Sequence, residues 1–215
     1  MPEPVPGPLL ARGEDADVFA IDETRVLRRY RRRAVPEGEV AIMRYVRESG
    51  YPAPRVFDMS GPDLTLERID GPTMLEELRS RPWRFRVHAR TLARLHRELH
   101  AIAVPPFLDG DGDAVLHLDL HPANVMLGPN GPVVIDWANA ARGDAALDVA
   151  LSAVVLACAP VDPPLSWLRD RFVRAFLGEF ADREWRVGLD RAVAYRRGDG
   201  NVGDKEKRNL TRLRL

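Results

Sequence analysis

Polar and apolar positions divide this chain into two parts with different periods. Near the start, two short runs of strand character, residues 18–21 and 25–30, flank the polar turn Asp22-Glu23-Thr24, which predicts a hairpin. Val40, Met43 and Val46 then recur at helical spacing, so a helix is expected from 37 to 48, ended by Gly50, Pro52 and Pro54. Residues 56–58 and 64–69 read as two further strands around the turn Ser60-Gly61-Pro62-Asp63. The first third is therefore a small sheet carrying one helix.

After Asp70-Gly71-Pro72 the period lengthens. Leu92, Leu95, Leu99 and Ile102 share one face of a long helix that starts near Trp83. A Pro/Gly/Asp loop at 105–113 precedes the segment 115–137, and helices are expected near 145–158, 165–180 and 183–196. A loop at 198–204 then leads into a basic tail. This order predicts an α+β fold of two lobes, a small β-rich N-lobe over 1–69 and a mainly helical C-lobe over 70–215. A cleft at the connector is the expected ligand site.

Composition narrows the function classes. The chain carries 32 basic and 32 acidic residues, so net charge gives no argument for a nucleic-acid partner, and the basic runs at 28–33 and 205–214 read as solvated faces. A single cysteine, Cys158, lies in an apolar run, which predicts a buried, inert thiol and no disulfide scaffold. The first ten residues lack the pattern of a signal peptide, and the apolar stretch 149–161 is too short to span a bilayer. A cytoplasmic protein without a membrane partner is expected.

Chemistry concentrates in His117-Leu118-Asp119-Leu120-His121-Pro122-Ala123-Asn124 and in Ile135-Asp136-Trp137. Between them, apolar runs of similar length flank the turn Gly128-Pro129-Asn130-Gly131-Pro132, which predicts a hairpin with Asn124 before its outgoing strand and Asp136 after its returning one. Magnesium takes hard oxygen ligands and only one or two protein carboxylates. A carboxylate outside the metal shell can accept the proton of an attacking hydroxyl. Asp119, Asn124 and Asp136 supply that set. The alternation His117, Asp119, His121 also suits a zinc site, but His88, His96 and His100 lie together on a helix and form no second cluster with the loop. Loop bracing is the preferred reading for His117 and His121. There is no P-loop and no Gly-x-Ser-x-Gly elbow.

The pattern His-x-Asp-x-x-x-x-Asn, a hairpin, then Ile-Asp-Trp resembles the catalytic and metal-binding segments of the protein-kinase-like fold. More narrowly, the loop 117–124, Leu95-His96-Arg97-Glu98-Leu99-His100, and Gly143-Asp144-Ala145-Ala146-Leu147-Asp148-Val149-Ala150 are similar to the aminoglycoside phosphotransferase and choline kinase-like family. The resemblance implies Asp119 as catalytic base and Asn124 and Asp136 as Mg2+ ligands. It implies that Arg28 stands where the family has a phosphate-binding lysine, with Glu39 as its helix partner. It also implies that the connector at Glu67, Arg68 and Ile69 offers backbone groups to the nucleotide base. One departure is the phosphate cover, where residues 12–20 hold only Gly13.

The implied activity is transfer of the terminal phosphate of a magnesium nucleotide, ATP with GTP also open, to a hydroxyl of a small-molecule alcohol. The glycine-poor cover and Arg28 favour a rival, a nucleotide-binding or scaffold protein of weak or no activity. The short second lobe leaves open a small protein serine/threonine kinase. Residues after Asp148 carry more Arg and Lys than Asp and Glu, which does not favour a polycationic aminoglycoside acceptor.

Overall fold

A computed structural model describes residues 6–13, 15–161, 165–200 and 202–213. The chain runs β1 (Leu9–Arg12), β2 (Ala16–Ala20), β3 (Arg25–Tyr30), α1 (Glu37–Glu48), β4 (Val56–Ser60) and β5 (Asp63–Glu67). Next come α2 (Met74–Ser80), α3 (Phe85–His100), β6 (Ala114–Leu116) and the hairpin β7 (Val125–Gly128) and β8 (Gly131–Val134). The remainder is β9 (Ala141–Gly143), α4 (Ala145–Cys158), α5 (Leu165–Leu177), α6 (Leu189–Gly198) and α7 (Asp204–Thr211). A 3-10 stretch, Ala181–Gly188, leads into α6. These elements group into two compact units, one of residues up to Gly71 with Met126–Ala138, the other of Pro72–Val125 with Asn139 onward.

In the first unit the sheet is antiparallel, in the order β1-β2-β3-β5-β4. β3 is central, with Arg28 opposite Val18 on one side and Leu64 on the other. Alternation sends Leu27 to one face and Arg28 and Tyr30 to the other, where Glu39 of α1 meets both. Strand β1 was not expected, because all four of its residues are exposed. It exists through backbone pairing with β2, so no burial pattern announces it.

The hairpin β7–β8, assigned to the second part from its place in the sequence, makes its contacts in the first unit. The physical reason is local. Val134 donates its N–H to Pro52 O at 2.8 Å, and the buried Trp137 stands edge-on to Tyr51 with ring centroids 5.7 Å apart. Gly71 has φ +151°, and a Cβ there would lie 2.0 Å from Leu127 O. Only glycine lets the connector pass this close to β7.

In the second unit α4 is buried along most of its length, through Leu147, Val149, Ala150, Leu151, Ala153, Val154 and Cys158. That explains why its sequence is apolar all round rather than on one stripe. Asp144 caps it by accepting Ala146 N–H at 2.8 Å. The basic tail is largely a helix, α7, held by Asn209 Nδ2 donating to Cys158 O at 3.0 Å and by burial of Leu210. Cys158 is itself buried, and that burial pushes its thiol up to about 11. Among the described residues no helix is long and apolar enough to cross a membrane.

Candidate functional site

The loop 117–124 is built around a carboxylate on α4. Asp148, fully buried, accepts Leu118 N–H at 2.7 Å on Oδ1 and His117 N–H at 3.3 Å on Oδ2. His100 Nε2 sits 2.9 Å from the same Oδ2, and His96 Nδ1 lies 3.3 Å away, off the line of a hydrogen bond. Burial pushes the Asp148 carboxyl up, but the bond from His100 and the nearby rings of His96 and His100 outweigh it and hold the group well below its ordinary value. Ser152 donates its hydroxyl to Leu120 O at 2.7 Å, so at 3.1 Å its oxygen accepts from His96 Nε2. Asp144 is thus the cap of α4 and Asp148 the brace of the loop.

This brace holds the backbone in an unusual shape. Leu118 has φ +61°, a conformation that costs a side-chain-bearing residue roughly 1–3 kcal/mol and persists only where its surroundings fix it. Asp119 follows directly. Its side chain is about one-quarter exposed, and it receives Asn124 Nδ2 on its backbone carbonyl at 2.9 Å and on Oδ2 at 3.0 Å. His121 Nδ1 accepts Ala123 N–H at 3.3 Å, which leaves the ring proton on Nε2, 3.3 Å from Asp119 Oδ1. Burial raises the Asp119 carboxyl, while His121, then His117 and Arg196, outweigh it and leave the group below the ordinary carboxylate value. It is therefore ionised at neutral pH and able to accept a proton.

In the first unit a second cluster forms around Arg28. Its guanidinium bridges two carboxylates, Nη1 to Glu39 Oε1 at 2.7 Å and Nη2 to Asp136 Oδ1 at 3.0 Å. Burial works against its charge, but Glu39 and Asp136 outweigh that and raise its pKa further. Asp136 has φ +67° and, with its side chain 44% exposed, can reach a ligand as well as Arg28. Taken singly, each side chain is of a donor type that magnesium accepts: Asp136 offers a carboxylate, and Asn124, whose amide nitrogen goes to Asp119, offers an amide oxygen.

The sequence-expected residues thus fall into two sets, Asp119 with Asn124 and Arg28 with Glu39 and Asp136. Glu67 and Ile69 join neither. The Glu67 side chain pairs with Arg47 at 3.0 Å, and its N–H goes to Arg55 O. Ile69 lies just beyond β5, its side chain against Gly128. Two contributions had not been anticipated. Tyr30 donates its hydroxyl to Glu39, and its only signal is its place two residues after Arg28 on one strand face. Ser152 orients His96, and nothing in the sequence marks it.

The sequence profile of the phosphotransferase enzyme family matches residues 62–189. A search of curated proteins returned no match. Among solved structures, the streptomycin–ATP–APH(2")-IIa ternary complex superposes with a TM-score of 0.65 at 16% identity, over 90% of this chain and 84% of that one. A choline/ethanolamine kinase family protein from Mesorhizobium loti gives a TM-score of 0.63 at 17% identity, over 96% and 86%. The choline kinase LicA from Streptococcus pneumoniae gives 0.51 at 13%, over 96% and 90%. At these identities the structures establish a protein-kinase-like fold. The profile spans more than half of the chain and includes the loop around Asp119 and the hairpin, so the chain belongs to the phosphotransferase enzyme family.

Proposed function

We propose that the protein transfers the terminal phosphoryl group of a magnesium nucleotide, ATP foremost, to a hydroxyl group of a small molecule. The observation that carries this reading is the fixed pair Asp119–Asn124. The amide nitrogen is spent on Asp119, which leaves the amide oxygen as the group to offer a cation and steadies an ionised carboxylate beside it.

In this reading Asp119 accepts the acceptor's hydroxyl proton as the new oxygen–phosphorus bond forms. The bond between the terminal phosphorus and its bridging oxygen breaks, and the nucleoside diphosphate leaves with that oxygen. His121 and Asn124 keep Asp119 oriented, while Arg28, held by Glu39, binds phosphate oxygens through its planar fork. Asn124 and Asp136 would hold magnesium, which when bound neutralises phosphate charge. Glu67 and Ile69 would flank the base through backbone groups other than the Glu67 N–H, which pairs with Arg55.

The test is an acceptor screen. The protein is incubated with magnesium and ATP against pooled small alcohols, including choline, sugars and aminoglycosides, and release of the nucleoside diphosphate is followed. Acceptor-dependent release in wild type, lost in Asp119→Asn, supports the reading. Nucleotide binding without release for any pool, or for added protein substrates, overturns it in favour of a non-catalytic binder.

A further inference from the structure

Arginine cannot simply replace lysine at position 28. A lysine ammonium is a compact charge that serves one acceptor from many directions, whereas a guanidinium is a plane whose use depends on its orientation. Here the plane serves two carboxylates at once, Glu39 through Nη1 and Asp136 through Nη2.

Tyr30 acts on both ends of this arrangement. It lies two residues beyond Arg28 on β3, so both side chains leave the same face of the strand. Arg28 Cζ sits 5.1 Å from the centroid of the Tyr30 ring, in cation–π range. The Tyr30 hydroxyl donates to Glu39 Oε2 at 2.5 Å, while Arg28 holds Oε1. Both oxygens of Glu39 are thereby engaged, and its carboxylate cannot turn away from the guanidinium. Tyr30 and Glu39 are nearly inaccessible, at 2% and 3% exposed, so water does not compete for these contacts. Burial also pushes the phenol pKa up, so Tyr30 stays a donor. A second cation over the ring, Arg33 at 5.5 Å, is exposed and paired with Asp15, so it is a peripheral contact.

We propose that Tyr30 is the positioning residue for Arg28, its ring fixing the guanidinium plane and its hydroxyl fixing Glu39, so that arginine can serve where a phosphate-binding lysine would otherwise stand. The nucleotide part of this inference rests on the phosphotransferase reading. The hold of Tyr30 on Arg28 is a property of the free protein.

Two measurements separate these parts. In the free protein, labelling arginine side chains with nitrogen-15 should reveal a slowly exchanging guanidinium signal that is missing from Arg28→Lys. That signal should weaken in Tyr30→Phe and average away in Tyr30→Leu, while Arg33→Ala leaves it unchanged. Its persistence in Tyr30→Leu overturns the hold, whether or not nucleotide binds. The second measurement is calorimetry with magnesium and AMP-PNP, in the Arg28 and Arg28→Lys backgrounds, alongside thermal melting. With Arg28 present, Tyr30→Leu should weaken binding about tenfold and Tyr30→Phe about threefold. In the Arg28→Lys background each should change binding by less than about twofold. Equal losses in both backgrounds, following the loss in melting temperature, would mean that Tyr30 only stabilises the sheet, and would overturn the proposal. Absence of nucleotide binding in wild type would overturn its nucleotide part together with the proposed function, and the guanidinium signal would then decide the hold alone.

Discussion

Leu118 gives its backbone N–H to the Asp148 carboxylate at 2.7 Å, 30 residues further along the chain. That bond fixes a residue at positive φ immediately before Asp119. Helix α4 therefore sets the geometry of the loop through one buried charge. Removing it strands the N–H groups of Leu118 and His117 in the interior and takes a partner from the half-buried ring of His100. Losing one member of such a buried charged network costs about 3–5 kcal/mol, so Asp148→Ala should lower the urea midpoint by a corresponding amount. Asp148→Asn keeps the volume but turns two acceptor oxygens into one, and should lose turnover before it unfolds. An unchanged midpoint in Asp148→Ala would show that the loop holds its shape without the brace.

Acid should loosen the same network. His96 is held below its ordinary 6.5, chiefly by burial, so below that pH the unfolded chain binds a proton that the folded one resists. Its contribution is complete above pH 6.5 and is lost as pH falls toward the depressed folded value. His88 is also depressed by burial and acts in the same direction. Asp148, depressed from 3.8, contributes fully above that ordinary value and begins to lose its contribution only below it. Stability from urea unfolding should hold between pH 8 and 7 and then decline toward pH 5. His96→Gln should flatten that decline; an equal slope in the variant would assign it to other groups.

Asp119→Asn should abolish transfer while leaving nucleotide binding nearly intact. The substituted amide remains next to Asn124 and His121 but cannot take a proton. General-base assistance is worth roughly a hundred- to ten-thousand-fold, so residual turnover above one-tenth of wild type would require another base. Calorimetry with the nucleotide checks that the fold and the remaining site are preserved.

The legibility of this chain follows the reach of its interactions. α1 and the hairpin were readable because apolar period and turn residues fix them locally. β1 was not, since an exposed edge strand leaves no alternation to read. β6 and β9 pair from Ala114–Leu116 to Ala141–Gly143, and each is too short to carry a pattern of its own. Helix α7 was hidden by its charge, because Leu210 and Glu206 are the only residues it buries. At the candidate site the expected pairing of Arg28 with Glu39 is present at 2.7 Å. The partner of Arg28 that sequence distance concealed is Asp136, 108 residues away. Its side chain meets Arg28 because Val134, Trp137 and Gly71 bring the hairpin onto the first unit.

That placement bears on how metal should bind. In the free protein Asp136 already has a guanidinium at 3.0 Å, so magnesium alone would compete with a cation that is fixed in place. In the proposed reading Asn124 would add only a neutral oxygen, and two protein ligands would leave most of an octahedral shell to water. Free magnesium should therefore bind weakly. A nucleotide brings phosphate oxygens for the metal and an anion for Arg28, so metal and nucleotide should strengthen each other's binding by the same factor. Calorimetric titration of nucleotide with and without magnesium measures that factor. Asp136→Ala removes a charged ligand and should erase most of the coupling; Asn124→Ala should reduce it less. Equal nucleotide affinity with and without magnesium in the wild type would remove Asn124 and Asp136 as metal ligands. A larger loss in Asn124→Ala than in Asp136→Ala would mean that Asp136 serves Arg28 rather than the metal.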